Sequence, residues 1–262
     1  MWFHLFGDDD DDEYDDEYED DENDDIDDSD YYDDDDEDED EDEYFGYSFE
    51  ELDEEDGIID GDSYWSDDDY QIAWVLKEPY FSDETIPIRE ILGYRPVNNR
   101  TIQRVAFATY GIHYDTYFED IPNINQDSDV ADELQTVAWI NINKEGGNTT
   151  SQYWKLKQAY NNNRYLLLGQ LQAYEPEIVI FGGTFNLFWH DLIGELGLTL
   201  QKLDFTDVDD ACDCYVDGSD SSVLYIEAEH PGVRSDTGEY VDSIISAVRA
   251  WESGEYSLLD EW

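Results

Sequence analysis

Five apolar runs mark residues 70–262, and polar or glycine-rich breaks separate them. Residues 71–76 (QIAWVL) stop at Lys77-Glu78-Pro79, residues 135–142 (QTVAWINI) at Asn143-Lys144, and residues 177–181 (EIVIF) at Gly182-Gly183. Residues 222–228 (SVLYIEA) run into Glu229-His230-Pro231, and residues 198–205 form a fifth, more polar run. Short runs that do not alternate with polar residues predict strands buried on both faces. Apolar positions recur at helical spacing between them. Asn98 or Asn99 caps a predicted helix to about Tyr110. Thr149 or Thr150 caps a long one that ends before Pro176. A third follows Gly182-Gly183-Thr184 to about Leu196, and a fourth covers residues 241–251. Residues 207–221, rich in Gly, Ser and Asp, predict an exposed loop or hairpin.

Apolar strands alternating with helices predict an α/β domain, a three-layer αβα body around a central, mostly parallel sheet. In such sheets ligands bind beyond the carboxyl ends of the strands. Glu78, Asn141 with Asn143, Gly182-Gly183 and His230 follow the ends of four different predicted strands, so one edge of the sheet is expected to gather them.

Charge divides the chain in two. Residues 1–69 hold 40 of the 72 Asp and Glu and none of the 12 Lys and Arg. Residues 8–43 are almost entirely acidic, and repulsion this dense predicts a disordered tail. The expected division is an acidic tail over 1–69 and an α/β domain over 70–262. Aromatics return from Tyr44 to Trp65, and Ser48 is placed to cap a short helix there. The tail reads as a solubilising spacer or as a mimic of nucleic acid, its carboxylates and rings suited to a basic groove in the same chain or in a basic protein partner. A formal net charge of −60 repels phosphate at long range. No run of about 18 apolar residues predicts a membrane span. Residues 1–6 lack the features of a signal peptide. The two cysteines, Cys212 and Cys214, cannot build a disulfide framework, and a reducing, cytoplasmic setting is expected.

The candidate chemistry is a carboxylate, a carboxamide and an imidazole. A carboxylate deprotonates water, an amide reads the edge of a base with two hydrogen bonds, and an imidazole donates to a leaving group gaining negative charge. Together they suit hydrolysis of an N-glycosidic bond. No nucleophile elbow, GxGxxG or phosphate-loop motif competes with this. His113 and His190 read as structural or surface residues. Arg89, Arg95, Arg100 and Arg104 form one basic window, and Lys144, Lys155, Lys157 and Arg164 another, which together predict a strip for a few phosphates.

Residues 71–251 resemble the uracil-DNA glycosylase superfamily, in particular its bacterial uracil-DNA glycosylase-like branch. The resemblance rests on Lys77-Glu78-Pro79-Tyr80-Phe81 after the first strand and on Trp139-Ile140-Asn141-Ile142-Asn143-Lys144 before Gly146-Gly147. It rests also on the strand leading to Gly182-Gly183 and on Glu229-His230-Pro231-Gly232-Val233-Arg234. It implies that Glu78 activates water, Tyr80 and Phe81 wall the base pocket, Asn141 reads a flipped base and His230 stabilises the departing base. Arg100, Arg104, Lys144 and Arg234 would contact DNA, weakly and with steep salt dependence, and no metal or cofactor is implied. Glu78 stands where better-known members carry Asp or Asn, and Gly232-Val233 replaces a small polar pair. Two other readings remain: a non-catalytic interaction protein with a DNA-like tail, and a hydrolase of free nucleosides or nucleotides.

Overall fold

The computed structural model describes residues 44–53, 56–67, 69–79, 92, 99–144, 152–205 and 212–259. The expected tail over 8–43, Tyr80, Phe81, Arg89, Arg95 and the proposed caps Thr149 and Thr150 lie outside the described residues. The strands are β1 Gly57–Ile58, β2 Ile72–Leu76, β3 Val137–Asn141, β4 Ile178–Gly182, β5 Leu200–Phe205, β6 Asp213–Asp217, β7 Leu224–Ala228 and β8 Tyr256–Leu258. They form one sheet in the order β1-β3-β2-β4-β7-β6-β5-β8. The centre β3-β2-β4-β7 is parallel. The remaining four pairings are antiparallel. The expectation of a mostly parallel sheet therefore holds for the centre and is corrected at both margins.

The correction has a local cause. Residues 207–221 contain β6, which pairs with β5 on one side and β7 on the other. In Asp213-Cys214-Tyr215-Val216-Asp217, Cys214 and Val216 are buried and Asp213 is exposed. A strand half-wetted in this way alternates polar with apolar residues and does not read as an apolar run.

Among the described residues seven α-helices accompany the sheet: α1 Phe49–Leu52, α2 Gly61–Tyr64, α3 Arg100–His113, α4 Ser128–Asp132, α5 Tyr153–Ala173, α6 Phe185–Gly194 and α7 Thr237–Ser253. Ser48 and Glu51 form the capping box of α1, and Asn99 accepts from the Thr101 and Ile102 N–H groups to start α3. Asp236 caps α7 the same way. Among the described residues no helix is long and apolar enough to cross a membrane.

Successive residues of the central strands enter two separate apolar clusters, as the period of two requires. Ile72, Trp74, Val137, Ile180 and Ile226 join Val105 and Ile112 of α3 and Ile244 and Val248 of α7. Ala73, Val75, Ile140, Val179 and Phe181 join Leu167 and Leu171 of α5 and Phe188 and Leu192 of α6.

Residues 44–53 and 56–67 belong to this body, so the expected boundary at residue 69 falls too late. Leu52, Ile58 and Tyr64 are buried, and β1 pairs with β3. Asp56, 2 % exposed, is the anchor. Its carboxylate accepts from the Asn141 backbone N–H (2.6 Å), Lys144 Nζ (2.6 Å) and Gln170 Nε2 (2.9 Å). Gln170 Nε2 also donates to Leu52 O, and Tyr174 Oη donates to the same carbonyl. Gly57, at φ +130°, lies so close to Tyr174 that a Cβ there would stand 2.3 Å from its Oη. Only glycine suits that position.

Candidate functional site

The parallel centre sends the carboxyl ends of β3, β2, β4 and β7 to one edge of the sheet. Asn141 closes β3 opposite Leu76, the last residue of β2. Lys77 and Glu78 follow Leu76, and the Asn143 N–H donates to Lys77 O at 2.9 Å. Gly182 pairs with Ala228, so Gly183 and His230 leave adjacent strands together. Pro231 packs on Gly182, where an added Cβ would lie 2.9 Å from the proline Cδ and 2.6 Å from Leu76 Cδ2. The register thus brings Glu78, Asn141, Gly182-Gly183 and His230 to one edge, as the strand ends predicted.

His230 is half-buried, and its Nδ1 accepts from the Gly232 N–H at 3.0 Å. An Nδ1 that accepts leaves the proton of the neutral ring on Nε2. Burial, aided by the positive charge of Lys77, pushes the imidazole pKa down to about 4. His230 is therefore a neutral Nε2–H donor at physiological pH. Asn141, 2 % exposed, has a buried Oδ1 with no hydrogen-bond partner among the described residues. A buried acceptor left open in this way suits a donor from outside the protein. Glu78 is half-buried, two residues beyond β2.

The loop after His230 is held from α3. Arg104 is fully buried; its Nη1 donates to Pro231 O and Val233 O, and its Nη2 to Ser235 O and Asp236 O. Its guanidinium also lies over the Tyr240 ring. Arg100, exposed, adds a bond to Val233 O.

These contacts correct two of the expected phosphate contacts. Arg104 is enclosed among loop carbonyls, and Lys144 is buried between Asp56 and Gln170. In a chain so rich in acids, cations at the margin of the core are drawn to internal acceptors, and sequence spacing does not reveal it. Arg164 is likewise bonded to Asp191 and Glu195, tying α5 to α6. Arg234, Lys155 and Lys157 are exposed. His113 is structural: its Nδ1 meets Glu133 at 2.7 Å and its Nε2 faces Tyr70 O. His190 is exposed.

Lys77 and Asp56 escaped the sequence reading. Lys77 lies inside the first motif, next to the carboxylate that carries its chemistry. Asp56 differs from its acidic neighbours only in preceding Gly57-Ile58-Ile59, a short apolar signal.

A groove of about 1040 Å³ lies between residues 117–119 and the start of α7; five carboxylates line it, from Glu119, Glu229, Asp236, Glu239 and Asp242. That side of the His230 loop repels phosphate. Among the described residues no cluster of His, Cys, Asp and Glu is arranged to hold a metal ion. No protein-family model matches the chain, and no curated protein matches it.

Proposed function

We propose that the protein is a DNA glycosylase that hydrolyses the N-glycosidic bond of uracil or a modified base, on a three-layer αβα body of the uracil-DNA glycosylase type. One observation carries the reading: His230 is a neutral Nε2–H donor at the strand edge that also bears Asn141 and Glu78. The target base leaves the stack and enters the edge of the sheet. Asn141 hydrogen-bonds it there, with Tyr80 and Phe81 as walls. The glycosidic bond breaks and its electron pair stays on the base nitrogen. Water attacks the anomeric carbon and loses its proton to Glu78. The Nε2–H of His230 stabilises the negative charge that develops on the departing base, the role a preorganised donor performs best in a site poor in water. Arg234 and Arg100, exposed beside the loop, would meet phosphates.

The test is base release from single- and double-stranded DNA carrying uracil or modified pyrimidines. Full-length protein, protein lacking residues 1–43 and each form with His230→Ala are compared. Release that falls by about 100-fold or more in His230→Ala supports the reading. No abasic site on any substrate, in either form, sinks it. Stronger release after removal of residues 1–43 would make the tail an intramolecular inhibitor. The internal commitment of Arg104 and Lys144 favours one second reading, a hydrolase of free nucleosides or nucleotides, since such substrates need few phosphate contacts. Release of base from a nucleoside or nucleotide but not from DNA would select it.

A further inference from the structure

Lys77 is the unexplained cation of this edge. The chain holds 72 Asp and Glu against 12 Lys and Arg, so carboxylate partners are in large excess. The ammonium of the half-buried Lys77 nevertheless makes no hydrogen bond or ion pair among the described residues. Its side chain lies across Gly183. A Cβ at Gly183 would stand 3.2 Å from Lys77 Cε and 3.3 Å from both Lys77 Nζ and the His230 backbone nitrogen. Gly183 is at φ +70°, which a side chain would strain. The missing side chain leaves room for the lysine beside the His230 loop.

Two cations of similar size to Lys77 found internal acceptors, Lys144 on Asp56 and Arg104 on four carbonyls. Lys77 has none, and next to it His230 has its Nδ1 occupied and its Nε2–H without a partner among the described residues. Burying part of an ammonium costs free energy unless an anion compensates it. Thr184, the residue before α6, adds to the picture. Its hydroxyl donates to Val75 O, so the first turn of α6 has no side-chain cap and keeps its partial positive charge.

We propose that Lys77 and His230 form an anion-binding site at the carboxyl ends of β2 and β7, which holds an anionic oxygen of the ligand through the Lys77 ammonium and the His230 Nε2–H. Two sources share that chemistry, a departing nucleobase anion and a phosphate group. Lys77 supplies the charge and His230 the directed donor. The site uses the same edge as the glycosylase reading but does not depend on it, because anion binding needs no bond to break.

Four histidines make the imidazole nitrogens of the full-length chain separable by NMR, and His230→Gln assigns the signal of interest. Inorganic phosphate and 5-nitrouracil, a uracil that is already an anion at neutral pH, are titrated separately at neutral pH while the His230 Nε2 signal is followed. The expected result is a saturable shift with one of them. It should weaken about tenfold or more in Lys77→Gln and survive in Lys77→Arg, the loss expected for a charge-assisted bond. Saturation by phosphate alone marks a phosphate site; saturation by 5-nitrouracil marks a site for the base. No saturable shift with either probe in the unmodified protein overturns the proposal, and so does binding unchanged in Lys77→Gln. Base release from DNA, measured on the same samples, separates the two ideas. Anion binding without base release sinks the glycosylase and leaves the site standing; base release without anion binding does the reverse.

Discussion

At the scale of single residues, His230 makes the fold sensitive to acid. Its pKa in the folded protein, about 4, lies below the ordinary 6.5 of an unfolded chain. The unfolded state therefore binds the proton first as pH falls, and stability is lost through the window from about 6.5 down to about 4. Urea unfolding at neutral pH and near pH 5 should show a smaller drop for His230→Gln than for the unmodified protein; equal drops would mean that the ring is not held neutral. His113 runs the opposite way. Burial opposes its charge, but the Glu133 carboxylate outweighs burial and raises the pKa. The stability it contributes is present below the unfolded value near 6.5 and is lost as pH rises through the raised one. In unfolding curves taken from pH 6 to 9, His113→Gln should remove that decline, and a curve that keeps it would assign the decline to another group. Glu78, Asn141 and His230 were legible because each lies within two residues of the end of an apolar run. Lys77 was not, since a lysine after a strand is ordinary; only the lack of a partner for its ammonium among the described residues singles it out.

At the scale of elements, the His230 loop owes its shape to α3. Arg104 satisfies four carbonyls of residues 231–236, of which Arg100 shares Val233 O and the Tyr240 N–H shares Asp236 O. Arg104→Met is expected to destabilise the protein by about 2–4 kcal/mol, the cost of leaving buried carbonyls unpaired. Denaturant unfolding measures the loss, and faster proteolysis at residues 231–236 locates it. A loss below about 1 kcal/mol would show that water replaces the guanidinium. The helical spacing of Arg100 and Arg104 put both on one face and suggested phosphates. The same spacing serves an internal clamp equally well, and the loop that decides between them is more than a hundred residues away. β6 was blurred for a related reason: its alternating pattern is that of a strand wet on one face, inside a stretch whose composition reads as loop or hairpin.

At the scale of the whole molecule, the acidic N-terminal segment divides at a point composition does not mark. Residues 44–53 and 56–67 bring Leu52, Ile58 and Tyr64 into the core and Asp56 beneath Asn141. Removing residues 1–43 should leave the melting temperature within a few degrees of full length, whereas removing residues 1–69 should abolish cooperative unfolding, because Lys144 is then buried without its carboxylate. Calorimetry of the two truncations decides it, and a cooperative transition after removal of residues 1–69 would refute the role given to Asp56. The single substitution Asp56→Ala should cost about 3–5 kcal/mol, as breaking a buried ion pair generally does. These truncations also bear on function. Any assay of the tail must cut at residue 43, since a cut at 69 would damage the strand that carries Asn141.

The sequence by itself determined the central strands, the helices between them and the strand ends that carry Glu78, Asn141 and His230. It could do so because apolar periodicity and capping residues act over a few positions. Tertiary structure alone decided that Asp56 is core, that Arg104 and Lys144 face inward, that β6 completes the sheet and that Lys77 lies across Gly183 beside the His230 loop. Each of those outcomes depends on a partner distant in the chain. A charged side chain reads the same in sequence whether it meets water, a carboxylate or a ligand; burial and the geometry of its neighbours make the difference.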